Sequence, residues 1–155
     1  MFWNEKKFNQ FDDISLSDCH ITKIQKIEND VVIKFSEDGF FARDNKSNKF
    51  YRTDGAQIII ERCDIDNISI KEIRGHKLSD DIYFETMYDI QIAKFIKNIN
   101  EGIWNLEIVE EYPLKGKGYY ITWISEDDNY FWCHIKLQYE NLIYMWNKIK
   151  YNCPL

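Results

Sequence analysis

Apolar and polar residues alternate along most of this chain, broken by short clusters of Asp, Asn, Glu and Gly, and that rhythm predicts antiparallel β-strands joined by tight turns. Residues 14–27 mix a period of two with Ile21, Ile24 and Ile27 at spacing three. A strand with one β-bulge explains both, because an extra residue shifts the alternation by one. Glu28-Asn29-Asp30 turns the chain, and Val31, Ile33 and Phe35 alternate as the second arm of a hairpin. Glu37-Asp38-Gly39 is the next turn, with Phe40 and Phe41 opening a third strand. After Thr53-Asp54-Gly55, the run Ile58-Ile59-Ile60 within 57–63 predicts a central strand; 68–74 is expected to be its hairpin partner and 75–81 a loop.

The period changes once. Tyr88, Ile92, Phe95, Ile96 and Ile99 fall at i, i+4, i+7, i+8 and i+11, one stripe of an α-helix, and Gly102 supplies a stop. Strands resume at 103–112, 118–125, 130–139 and 142–149. The expected fold is mainly β, an antiparallel β-sandwich or open barrel with one α-helix near residues 88–99. A length of 155 residues suits a single domain, 1–155.

Composition supports this picture. Ten Tyr, ten Phe and five Trp favour strands, since flat side chains fit a pleated, half-buried surface. A net charge of −6 makes the phosphate-driven term of nucleic-acid binding repulsive, so the expected partner is a protein, one of basic character, and no nucleic acid. The opening Met1–Lys7 lacks a basic-then-apolar leader, and no run approaches the roughly 20 apolar residues that span a bilayer. The expectation is a cytoplasmic protein that engages no membrane. Cys19, Cys63, Cys133 and Cys153 stand far apart with no CxxC pair, which reads as free thiols.

Spacing also tests specific chemistries. Cys19-His20 and Cys133-His134 resemble fragments of a zinc site, yet neighbours on a strand face opposite ways, so neither dipeptide can ligate one ion without a bulge. Gly116-Lys117-Gly118 lacks the residues of a phosphate-binding loop. Asp64-Ile65-Asp66-Asn67 would begin a calcium loop, but Ser69 and Gly75 stand where Gly and Glu are required. No metal or cofactor is expected. A cleft holding His20, His134 and a nearby Asp remains as the basis for a small-molecule-binding or hydrolytic alternative.

The feature that stands out is aromatic. In the strand from Tyr130, the residues Tyr130, Trp132, His134, Lys136 and Gln138 share one face, and Phe131, Cys133, Ile135, Leu137 and Tyr139 the other. With the second set as core, Tyr130, Trp132 and His134 lie on a surface that Tyr144 and Trp146, and also Tyr119 and Trp123, would extend into a binding patch. The competing expectation is that the helix covers that face. A homo-oligomer burying it against its own copy is a third.

The opening Leu16-Ser17-Asp18-Cys19-His20-Ile21, followed by the hairpin Val31–Phe35 and an acidic turn before Gly39, resembles the start of small bacterial β-sandwich families, some of them immunity proteins of polymorphic toxin systems. That resemblance covers about 40 residues and, loosely, the β-rich tail with Trp146. It implies a non-enzymatic role, binding and neutralising a cognate toxin, and carries no catalytic residue across.

Overall fold

The structure, a computed structural model, describes residues 3–155; Met1 and Phe2 lie outside the described residues. The strands are β1 (Glu5–Phe8), β2 (Ile14–Ser15), β3 (Cys19–Ile27), β4 (Asp30–Phe35), β5 (Phe41–Arg43), β6 (Phe50–Thr53) and β7 (Ala56–Glu61). They continue as β8 (Ser69–Ser79) and β9 (Ile82–Asp89), then, after helix α1 (Ile92–Asn100), as β10 (Asn105–Leu114), β11 (Lys117–Glu126), β12 (Asn129–Gln138), β13 (Asn141–Trp146) and β14 (Ile149–Pro154). They form two open antiparallel sheets. One has ten strands in the order β1-β13-β7-β4-β3-β10-β11-β12-β8-β9, the other four in the order β14-β6-β5-β2.

Two bulges decide which residues face the core. The expected bulge in β3 lies between Ile21 and Lys23, so Cys19 points inward before it and Ile24 after it. In β10 the register shifts between Ile108 and Glu110. Leu106 and Ile108 are therefore buried ahead of the shift, and beyond it Glu111, paired with the buried Tyr120, turns inward while Glu110 and Tyr112 turn out.

The core gathers Ile24, Ile33, Ile58, Ile70, Leu106 and Ile135 with Phe95 and Ile99 of α1. The helix therefore sits on the inner side of the large sheet, and its last residue locks onto β3. The Asn100 side chain accepts from the Ile24 N–H at 2.7 Å and donates to its C=O at 2.9 Å, as a strand partner would. Gly102 ends the helix with φ +73°, the expected stop. Among the described residues no helix is long and apolar enough to cross a membrane.

Phe40 ties the sheets together, its ring edge-on to Phe35, Tyr144 and Trp146. Gly39 before it has φ +57°, and a Cβ there would lie 2.1 Å from the Thr53 hydroxyl, so only glycine makes this turn.

Five expectations need correction. The helix begins at Ile92, not Tyr88, and Tyr88 belongs to β9. Residues 75–81 are no open loop but carry the β8–β9 hairpin, and β8 pairs with β12 and β9 rather than β7. The segment 142–149 splits at Asn147-Lys148, whose N–H groups both donate to Asp54 Oδ1, so β13 and β14 enter different sheets.

Finally, Tyr144 and Trp146 do not extend the outer surface: β13 is buried on both faces and both side chains are core, fully buried and 4% exposed respectively. The Tyr144 hydroxyl has no hydrogen-bond partner among the described residues. Tyr144→Phe deletes that desolvated group and is expected to raise the unfolding free energy by about 1 kcal/mol in urea denaturation.

Candidate functional site

The hairpins β10–β11–β12 form a meander whose register places side chains in straight rows. Tight turns set that register: Gly116 at φ +90° joins β10 to β11, and Asp127 at φ +50° joins β11 to β12. Cys133, Ile135 and Leu137 face the core, so Tyr130, Trp132 and His134 face out, as the alternation predicts.

On the outer face Trp132 pairs with Trp123 on one side and Ile73 on the other, in a row that runs His20, Glu107, Trp123, Trp132, Ile73, Met87 across six strands. The Trp123 ring stacks on Tyr130 at 5.7 Å and meets Trp132 edge-on at 4.4 Å. Tyr130 remains 60% and Trp132 41% exposed. These pairs hold one another's rotamers, so the aromatic surface is preformed.

A second group adjoins the first. Tyr119 stacks beside Tyr112 at 6.0 Å, its hydroxyl hydrogen-bonds His134 Nδ1, and Lys136 Nζ lies 5.5 Å from its ring centre. Tyr119 and Trp123 thus join the patch as the sequence suggested, and Tyr112 joins it unforeseen. Its strand showed no clean alternation, because the β10 bulge reverses the faces midway.

Beside the patch, pairing of β8 with β12 stops at Ile73, whereas β8–β9 pairing continues to Ser79 and Ile82. The outer half of that hairpin stands away from the sheet as an arm bearing exposed Leu78, Ile82, Tyr83, Phe84 and Met87. Its rings pack on the arm itself: Phe84 stacks on His76 at 4.9 Å, Tyr83 lies over Gly75, and Arg74 covers Tyr88 at 5.0 Å. A cleft of about 680 Å³ opens between arm and meander, lined by Arg74, His76, Lys94, Trp104, Tyr130 and Phe131 among others.

Charge around the patch is chiefly negative at one end, where Glu107 lies beside Trp123 and the exposed turn Asp127-Asp128 precedes Tyr130. At the other end Lys71 pairs with Asp89 at 2.5 Å and lies beside His134.

The residues of the cleft alternative do not come together. His20 and His134 are three strand spacings and two residues of register apart, at least about 14 Å at ~4.8 Å per spacing. His20 Nδ1 contacts Asn105 Oδ1 at 3.1 Å and His134 contacts Tyr119, and among the described residues neither meets a carboxylate. Burial pushes the Cys19 and Cys133 thiols up to about 12 and Cys63 up to about 11, which keeps all three protonated and unreactive at neutral pH.

No group of three or more metal-ligating side chains assembles among the described residues. Inside the core, an apolar cavity of about 80 Å³ between Leu16, Ile33, Phe95, Leu106 and Ile135 is far smaller than the roughly 300 Å³ of the smallest ordinary ligand pockets.

Comparison of the chain with protein-family models, with curated proteins and with solved structures found no match in any of the three.

Proposed function

We propose that this chain is a non-enzymatic binding protein of the immunity type, which blocks a basic protein partner with the outer face of the β10–β11–β12 meander. The observation that carries this reading is the mutually packed set of the half-buried Trp123 with the exposed Tyr130 and Trp132. Large rings held in place lose little entropy on binding and anchor interfaces, whereas a merely soluble surface has no reason to gather them. The acidic end formed by Glu107, Asp127 and Asp128, with the net charge of −6, suits a cationic partner: it speeds encounter and disfavours acidic competitors, nucleic acid included. The cytoplasm is the setting in which such a protein would protect its own cell.

The test is affinity capture with the purified chain against the Tyr130→Ala, Trp132→Ala double variant. A basic protein retained by the parent is expected to lose at least about 30-fold in affinity to the variant, about 2 kcal/mol, as interface anchors do. Unchanged retention in a folded variant would overturn the assignment of this face.

A further inference from the structure

The two sheets have four edges, and three of them carry a device against strand addition. β1 is four residues long with Glu5, Lys6 and Lys7; β2 has only two residues; β14 carries Lys150 and ends at Pro154. The fourth edge, β9, is the least protected, its only charges being Glu85 and Asp89. Its eight residues Ile82–Asp89 contain no Pro, Lys or Arg, its register irregularity falls on β8 at Leu78, and its side chains are exposed except Thr86, which is half-buried with its hydroxyl 2.7 Å from His76 Nε2.

We infer that β9 pairs with β9 of a second copy of this chain, antiparallel about a two-fold axis at Thr86, which joins two ten-stranded sheets edge to edge.

Charge and register select that occupant. A two-fold axis normal to the sheet keeps outer faces together, so only positions of the same parity can oppose each other. An axis at Glu85 would set Glu85 against its own copy, and an axis at Met87 would set Glu85 against Asp89. An axis at Phe84 would shorten the overlap to Ile82–Thr86.

With the axis at Thr86, Thr86 faces Thr86, Glu85 faces Met87, Phe84 faces Tyr88 and Tyr83 faces Asp89. No like charges meet, two aromatic pairs form, and the overlap of 83–89 covers nearly the whole strand. A foreign basic strand would find one free carboxylate on β9, Glu85, because Asp89 is already paired with Lys71 inside the chain. The inference does not depend on the aromatic face of the meander.

Sedimentation of the purified chain over a dilution series tests it. The expected species has twice the 18.8 kDa chain mass at high concentration, and Thr86→Lys, which opposes two ammonium groups on the axis, is expected to leave only monomer. In a Cys153→Ser background, which removes the one thiol that is not buried, Thr86→Cys is expected to cross-link under mild oxidation. Glu85→Cys and Met87→Cys, each facing the other position, should not cross-link singly. A monomer at every concentration, a dimer indifferent to Thr86→Lys, or stronger cross-linking at Glu85 or Met87 than at Thr86 would overturn the inference. Were Thr86→Lys to unfold, judged by far-UV circular dichroism, the cysteine pattern decides alone.

Discussion

Phe40→Ala is expected to cost about 3–5 kcal/mol of unfolding free energy, which for a domain of marginal stability is a large part of the total. The reason is position. Phe40 is fully buried and its ring meets Phe35 of β4 at 5.5 Å, Trp146 of β13 at 5.8 Å and Tyr144 of β13 at 6.0 Å. Its backbone is fixed as well: the Phe40 N–H donates to Thr53 Oγ at 3.1 Å, and the Thr53 N–H donates to the Phe40 C=O at 2.8 Å. The neighbours therefore cannot collapse into the space the ring leaves, and the penalty takes the upper part of the range for large-to-small changes. Phe40→Leu, which retains most of the volume, should cost less than half as much. Chemical denaturation of both variants checks this, and a loss below about 1 kcal/mol for Phe40→Ala would contradict the packing described.

Where one face meets the core and the other meets water, the chain states its structure openly. β12 shows this best, for Cys133, Ile135 and Leu137 are buried and Tyr130, Trp132 and His134 are not. The bulge in β3 was legible for the same reason, since a half-buried strand reveals a slip of one residue.

The pattern fails where both faces share one environment. Ile82, Tyr83, Phe84, Met87 and Tyr88 place apolar residues on both sides of β9 because the arm is exposed on both, so no period of two survives, and Tyr88 falls by chance in step with the helix. β13 is the converse case. Leu142, Ile143, Tyr144, Met145 and Trp146 are all buried, and an unbroken apolar run is the mark of a strand covered on both faces, which is why Tyr144 and Trp146 belong to the core and not to the patch.

Strand partners were less legible still. The 3₁₀ turn at Ile65–Asn67 carries the chain from β7, third from one edge of the large sheet, to β8, second from the other, and no local signal distinguishes that crossing from a hairpin.

Glu111 is expected to make the protein less stable as pH rises through neutrality. The β10 bulge turns this carboxyl inward, where it accepts a hydrogen bond from the Leu16 N–H. Burial opposes its ionisation more strongly than that hydrogen bond favours it, and its pKa is pushed up from 4.5 to about 7. Between those values the folded protein holds a proton that the unfolded chain has released, so unfolding is accompanied by proton loss and stability falls with increasing pH.

Below pH 4.5 both states are protonated and the group contributes no pH dependence; above about 7 both are ionised and the cost is complete, no more than about 3 kcal/mol at 1.36 kcal/mol per pH unit. Glu111→Gln keeps an acceptor for the Leu16 N–H and removes the titration. Its stability relative to the parent should therefore be greater at pH 8 than at pH 5 by about 2 kcal/mol, measured by urea denaturation at each pH. An offset that is the same at both pH values would show that Glu111 does not titrate in this window, whatever the variant does to packing.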